Sequence, residues 1–417
     1  TEPILPRETL KPVSVRRCTL AHYEARGDVV KDSKPFCSKE KEGWLYDFGV
    51  NTAGIETLRI KGERGQQIDL QFAEYINPDG ELDYGNLGFY PDGFVQRDVY
   101  ILKGEGEEVF EPQFTYHGAR YCLVLGLTDE QATEELLTFD ICASAIGDRG
   151  DFRCSDDTVN KLQVMTRNSD LSNFYYFPTD CPHREKNGWT GDASVSCEQL
   201  SLNFAPEKSY KEWLRNIRKT QKETGELPGI IPTGGWGYEW GNGPAWDQVA
   251  TVLPYMTYLL RGDREILEEN SPMIMRYAEY ISRNRTARGT VELGLGDWCP
   301  VTKFKSPLEF TDSVVCMDIL DKAAYIFSVL GQPLQEKFCV KLRREIRSAV
   351  REHLVDLSTC TAIGCCQTSQ AMAIYYNVFD PGEKAQAFKV LLKIISDSDD
   401  HMDCGILGAR CLFRAVS

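Results

Sequence analysis

The chain has 417 residues, room for two or three domains, with 42% apolar and 26% charged residues, so a sizeable core needs no disulfide or metal to hold it. A formal net charge of −15 would repel nucleic acid and anionic membrane and leaves a neutral ligand such as a sugar. No stretch approaches the ~18 consecutive apolar residues of a membrane span, and Thr1-Glu2-Pro3 lacks the basic–apolar–small order of a secretion signal.

The first part of the chain, residues 11–148, alternates in short runs punctuated by Gly, Pro, Asn and Asp. Trp44-Leu45-Tyr46-Asp47-Phe48-Gly49, Glu56-Thr57-Leu58-Arg59-Ile60-Lys61 and Gln67-Ile68-Asp69-Leu70-Gln71-Phe72 read as half-buried strands, and 97–102, 121–125 and 136–143 add more. Asn77-Pro78-Asp79-Gly80-Glu81 reads as a turn, since Pro fixes φ and Gly tolerates positive φ. Many short strands in this length predict a β-sandwich domain over 1–150. Near Ser155-Asp156-Asp157 the period changes, with N-cap chemistry followed by Val159, Leu162, Met165 and Leu171 at helical spacing. The helices expected from there are 156–172, 191–205, 207–223, 246–262, 264–285, 312–330, 333–355, 366–377, 383–396 and 404–415. They come largely as hairpins joined by loops rich in Trp, Gly, Pro and Asp, such as the loops 234–241 and 294–300. Paired helices wound into a ring would gather those loops at one mouth, and 151–417 is expected to be one helical domain.

The fifteen cysteines are odd in number and irregular in spacing, which fits reduced, buried thiols in a cytoplasmic protein better than a disulfide framework. There is no C-x-x-C pair, Cys365-Cys366 has no nearby His, and no clustered Asp loop suits calcium. No metal or other cofactor is expected.

The densest polar and aromatic segment is Thr179-Asp180-Cys181-Pro182-His183-Arg184-Glu185-Lys186-Asn187-Gly188-Trp189-Thr190-Gly191-Asp192. Pro182 disfavours helix at Cys181, and Gly188 and Gly191 keep the chain irregular until a helix begins near Asp192. A loop thus presents Asp180, Glu185 and Asp192 with Arg184 and Trp189 in thirteen residues. Glycoside hydrolysis needs a carboxylic acid to protonate the leaving oxygen and carboxylates to grip hydroxyls, and like charges nearby would keep one of the carboxyls protonated near neutrality. An indole can stack on the sugar, and a guanidinium can hold a carboxylate in place. The plainer reading makes Asp192 a helix N-cap and Arg184–Glu185 a surface pair.

This segment resembles the signature of the α-L-rhamnosidases of glycoside hydrolase family 78: Asp, Arg–Glu four and five residues later, then Trp and Asp. Tyr46-Asp47-Phe48-Gly49-Val50-Asn51-Thr52-Ala53-Gly54 and Phe114-Thr115-Tyr116-His117-Gly118-Ala119-Arg120-Tyr121 resemble the family's preceding β-sandwich. Gly150-Asp151-Phe152-Arg153-Cys154-Ser155-Asp156 resembles its domain junction, and Cys366-Gln367-Thr368-Ser369-Gln370-Ala371 and Gly405-Ile406-Leu407-Gly408-Ala409-Arg410 resemble later barrel helices. The resemblance implies an N-terminal β-sandwich and an (α/α)6 toroid performing inverting hydrolysis of terminal α-L-rhamnosyl residues. It makes Glu185 the general acid and places Asp180, Arg184, Trp189 and Asp192 on the sugar, with Trp246 and Trp298 as pocket walls. Asp297, beside Trp298, is a further binding candidate or else a turn and core anchor. Glu239 is an outside candidate, and His183 is expected as a hydrogen-bonding residue behind the site.

In that family a second glutamate, the general base, follows the helix that here begins near Gly405, and six hairpins need twelve helices against about ten counted. The toroid is therefore expected to be incomplete at its C-terminal end, either as a piece of a longer enzyme or as a naturally impaired protein. An open toroid would leave apolar helix faces uncovered, which allows a homo-oligomer. Two other readings are a non-catalytic rhamnose- or glycan-binding protein and a different (α/α)6 exo-glycosidase. A lyase fits less well, lacking a basic cleft for uronates.

Overall fold

A computed structural model describes residues 1–19, 42–87 and 96–417, so the parts of the expected sandwich at 20–41 and 88–95 lie outside the described residues. Its packing forms two compact units, Thr1–Gly147 with Asp151–Lys186, and Asp148–Gly150 with Asn187–Ser417.

The first unit is built on one curled antiparallel sheet of eight strands: β1 (Ile4–Leu10), β2 (Ser14–Thr19), β3 (Glu42–Lys61), β4 (Gln67–Ala73), β5 (Gln96–Ile101), β6 (Glu107–Phe110), β7 (His117–Leu125) and β8 (Leu137–Ser144). The long strand β3 makes the curl, because it changes partners along its length. Its first part pairs with β2 (Trp44 opposite Arg17) and its last part with β8 and β6 (Leu58 opposite Leu137 and Phe110). Two of the strands expected separately, 44–49 and 56–61, are halves of this one strand, with a register irregularity between Asp47 and Thr52 where turn residues interrupt the pattern. The expected turn at 77–81 is present, with the Gly80 N–H donating to the Asn77 carbonyl at 2.9 Å. Alternate residues Tyr46, Phe48, Leu58, Ile60, Phe72 and Phe139 turn inward as one buried cluster. Each such side chain contributes on the order of 1.5–3 kcal/mol. The two motifs that resemble the family's sandwich are tied together, since Arg120 donates to both oxygens of Asp47 at 2.8 and 2.9 Å.

Helix α1 (Asp157–Ser172) belongs to this unit and packs on β3 and β8. The cap read from the sequence is real: the Asp156 carboxylate accepts from the Thr158 and Val159 N–H groups. The apolar residues whose spacing marks the helix are largely exposed, however. Val159, Leu162 and Met165 are 39%, 54% and 65% exposed, and the helix turns Asp170 and Ser172 inward instead.

Besides the four-residue helix Pro244–Asp247, the second unit holds nine longer helices: α2 (Thr190–Asn203), α3 (Glu207–Thr220), α4 (Val249–Arg261), α5 (Arg264–Arg283), α6 (Leu308–Val329), α7 (Pro333–His353), α8 (Gln367–Tyr375), α9 (Lys384–Ser396) and α10 (Ile406–Val416). All ten expected helices are present, α1 included. The helices α2, α4, α6, α8 and α10 each pack on the next, and α10 returns to α2, where Arg410 and Arg414 meet Glu198. The sequence separates this inner ring from its outer layer. Inner α6 buries residues on every side, including Phe310, Val314, Met317, Leu320 and Phe327. Outer α7 buries one stripe, Cys339, Leu342, Ile346 and Val350, and turns its lysines and arginines outward. No helix is long and apolar enough to cross a membrane among the described residues. None of the fourteen described cysteines is paired in a disulfide, and most are buried.

Candidate active site

The loop that carries Asp180 and Glu185 lies in the first unit. A two-residue hairpin, Phe174–Tyr175 against Phe177–Pro178, leads into it, and Tyr175 is fixed by its hydroxyl on the Cys142 carbonyl at 2.6 Å and by stacking on Tyr116 at 3.8 Å. From Pro182 to Glu185 the chain turns tightly around Cys181. The Cys181 carbonyl accepts from the Lys186 N–H at 3.1 Å and its sulfur from the Glu185 N–H at 3.4 Å. Burial, and then the Asp180 carboxylate, push the Cys181 thiol up to about 12, so it stays protonated and donates to Asp180 Oδ2 at 3.0 Å. The sandwich supports this turn through Gly118: a Cβ there would stand 2.7 Å from the Pro182 ring and the His183 nitrogen. The result brings a carboxylate oxygen of Asp180, the Cys181 sulfur and an oxygen of Glu185 within 4.8 Å of one another.

Around Glu185 the charges are arranged on one side. Arg184 Nε lies 3.9 Å from its carboxylate, and Arg184 Nη1 donates to the Asn86 carbonyl at 2.8 Å, which aims the guanidinium. The Glu185 side chain is 21% exposed and so accessible to a ligand. The Lys186 ammonium sits over the Tyr116 ring at 5.1 Å, and burial pushes its pKa down to about 8. His183, expected as a hydrogen-bonder, has Nδ1 3.6 Å from Glu74, beyond hydrogen-bond range, and burial lowers its pKa, favouring the neutral ring.

The aromatic residues form a second group, in the second unit. Helix α2 begins at Thr190, one residue before the expected 191–205, so Trp189 is its N-cap residue and Asp192 lies in the first turn. Asp192 is therefore not the cap itself, and its charge faces the positive end of the helix dipole. The chain can enter the helix at Gly191 because Trp246 passes directly over it; a Cβ there would stand 2.6 Å from the indole. Trp189 pairs in an isolated β-bridge with Ile230. Trp189 rests on Trp236 and Trp240 with centroids 5.9 and 5.6 Å apart, Trp240 on Trp298 at 6.0 Å, and Trp298 edge-on to Trp246 at 6.4 Å. Five indoles thus form one continuous wall. Trp189 and Trp246 are buried, while Trp236 and Trp240 keep nearly half of their surface open. Trp236 and Trp240 were not singled out from the sequence, although the Gly-rich loop that carries them was; their spacing of four in an irregular loop has no periodic meaning.

Asp297 stands apart from this wall in its chemistry. Its Oδ2 accepts from Thr368 Oγ1 at 2.5 Å and the Gly405 N–H at 2.8 Å, and its Oδ1 from the Leu407 and Gly408 N–H groups, both at 3.0 Å. Both oxygens are saturated by the start of α10, and the residue is 4% exposed. Of the two readings of Asp297 the geometry favours the anchor. Glu239 is exposed in the tryptophan-bearing loop. Two further carboxylates emerge that sequence reading missed, Asp247 and Asp312, both buried and both pushed well up by that burial. Asp247 accepts from the Tyr277 hydroxyl at 2.9 Å and the Gly243 N–H at 3.1 Å, and Asp312 from the Leu293 N–H at 2.7 Å. Nothing in their local sequence separates them from surface aspartates.

Comparison with known proteins places the chain in a family. Residues 147–417 match the model of the bacterial α-L-rhamnosidase six-hairpin glycosidase domain. The chain belongs to the bacterial α-L-rhamnosidases. Residues 38–145 match the concanavalin-like domain of the same proteins, so the sandwich-then-hairpins order expected from the sequence is the family's order. An α-L-rhamnosidase of Formosa agariphila is 32% identical over 306 residues, 69% of this chain and 31% of that protein. One from Streptomyces avermitilis is 28% identical over 379 residues, 90% of this chain and 35% of that protein. The chain spans about a third of the length of these two curated relatives. Among solved structures, the Streptomyces avermitilis α-L-rhamnosidase complexed with L-rhamnose superposes with a TM-score of 0.86 at 25% identity, covering 100% of this chain and 37% of that one. The α-L-rhamnosidase from Dictyoglumus thermophilum does so with the same score at 29% identity, covering 45% of that chain. The rhamnosidase resemblance drawn from 180–192 therefore extends through both units.

Proposed function

We propose that this chain carries the acid machinery of an inverting α-L-rhamnosidase, with Glu185 as the proton donor to the leaving oxygen of a terminal α-L-rhamnoside. The observation that carries the reading is the loop around Cys181, which keeps Glu185 accessible, an Asp180 oxygen within 4.8 Å, and a guanidinium beside it. Membership of the family supports it, and so does the relative complexed with L-rhamnose. In inverting hydrolysis this acid works with a general base on the opposite face of the ring. Asp180, Arg184 and Asp192 take sugar hydroxyls, and Trp189 and Trp298 supply apolar faces for the ring and its methyl group. Trp246 contributes differently: it is buried behind Trp298, edge-on to it, and backs the wall. Asp297 acts as a positioning residue for Trp298. The division of labour follows a boundary near residue 150, with 1–150 as the sandwich domain and 151–417 as the helical catalytic domain. A cytoplasmic, reducing setting suits the fourteen unpaired thiols.

The test is a panel of p-nitrophenyl glycosides offered to the purified protein. Release of nitrophenol from the α-L-rhamnoside alone is the expected result. Release from another sugar, with the rhamnoside untouched, would assign the site to a different exo-glycosidase. Binding of rhamnoside without release would assign the chain to glycan binding.

A further inference from the structure

Three titratable side chains far apart in sequence converge inside the sandwich. Glu56 on β3, Asp98 on β5 and His117 at the start of β7 bring one ligand atom each within 4.8 Å of the other two. Glu56 is fully buried, and neither of its oxygens has a partner at ordinary hydrogen-bond distance and angle among the described residues. Its Oε2 is 3.9 Å from His117 Nε2, which contacts Asp98 Oδ2, and the imidazole is held by stacking on Phe72 at 4.3 Å. Arg97 does not relieve the charge; it projects to the other face of β5 and donates to Asp69 at 2.8 Å. Glu56 and Asp98 thus face a single imidazole in an apolar core, and two buried carboxylates cost several kcal/mol when ionised unless a cation pairs with both. Burial, and then the facing Asp98 carboxylate, hold the Glu56 carboxyl well above the usual range.

We infer that Glu56, Asp98 and His117 form a structural binding site for one divalent transition-metal ion. A doubly charged cation cancels the two carboxylates. An imidazole ligand favours Zn²⁺, Co²⁺, Mn²⁺ or Fe²⁺ over Ca²⁺ and Mg²⁺, which prefer oxygen. Metal–ligand bonds of about 2.0–2.2 Å bring ligand atoms within roughly 3–4.4 Å of one another, so side-chain shifts of well under 1 Å close the shell. The Asp98 side chain is 16% exposed and gives the ion an entry route, with water completing the coordination. Binding displaces to solvent the protons these groups share, so that two carboxylates and a neutral imidazole face the ion. The ion would join strands β3, β5 and β7 and is independent of the glycosidase chemistry.

Co²⁺ is the probe, because its visible spectrum separates nitrogen–oxygen from sulfur ligation in a chain with many thiols. Titration of the metal-free protein should give d–d absorption saturating at one ion per chain, with no sulfur-to-metal charge-transfer band. Glu56→Gln should weaken that binding at least ten-fold while folding normally; without metal its Tm should equal or exceed that of the parent. Added Co²⁺ should raise the Tm of the parent and leave that of Glu56→Gln unchanged. No saturable absorption, a thiolate band, or equal affinity in Glu56→Gln would overturn the inference and indicate that Glu56 and Asp98 share a proton instead.

Discussion

Glu185→Gln should lower turnover of natural, unactivated rhamnosides by about 10²–10⁴-fold, the range of a lost general acid. The amide keeps the volume and the polar contact with Arg184 but has no proton to give. Aryl rhamnosides with good leaving groups depart with little protonation, so their cleavage should fall much less. That split between the two substrate types is the signature. A structural fault would depress both alike, and equal losses would remove Glu185 from the acid role. Kinetics on a flavonoid rhamnoside and on the nitrophenyl rhamnoside, run side by side, read the difference. Thermal melting of the same variant should match the parent closely, because the side chain is partly exposed and the amide keeps its size and shape.

Asp297→Ala should cost about 3–5 kcal/mol of stability, far more than a sugar-contacting aspartate would. Helix α10 begins at Gly405, which has no side chain to cap it, and its first N–H groups have no partner inside the helix. Asp297 supplies the cap from 108 residues away in sequence, taking the Gly405, Leu407 and Gly408 N–H groups and the Thr368 hydroxyl. Its negative charge also meets the positive end of the helix dipole. Removal leaves three buried N–H groups and a hydroxyl unsatisfied, so the Tm should fall by several degrees and amide protection should drop first at 405–410. An unchanged Tm with lost rhamnose affinity would return Asp297 to direct sugar binding.

Short-range patterns carried most of the architecture into the sequence. Strands β4, β5, β7 and β8 were legible because alternate residues such as Ile68, Leu70 and Phe72 enter one core. Helices in both layers were legible from apolar periodicity and caps. Strand β1 was not, since most of Ile4–Leu10 is exposed and lacks the alternation of a half-buried strand. The α1 stripe marked its helix correctly, but Val159, Leu162 and Met165 are exposed, since periodicity says nothing about which side the fold covers. The acid loop was visible because Asp180, Arg184 and Glu185 are adjacent in the chain, so composition alone marks it. The aromatic wall was visible only in part, because Trp189, Trp236, Trp240, Trp246 and Trp298 come together from four separated segments. Long-range polar work was invisible. Nothing near Asp297 signals that it caps a helix beginning at Gly405, and nothing near Glu56 points to Asp98 or His117.

The central claim, that the wall and the acid loop serve L-rhamnose, is tested most directly by titrating L-rhamnose into the protein in a calorimeter. The account predicts a saturable one-to-one heat, lost in Trp298→Ala and retained in Phe114→Ala, whose ring is exposed on the sandwich, with no comparable heat from D-glucose. No saturable heat from rhamnose, or the same heat after Trp298→Ala, would contradict it.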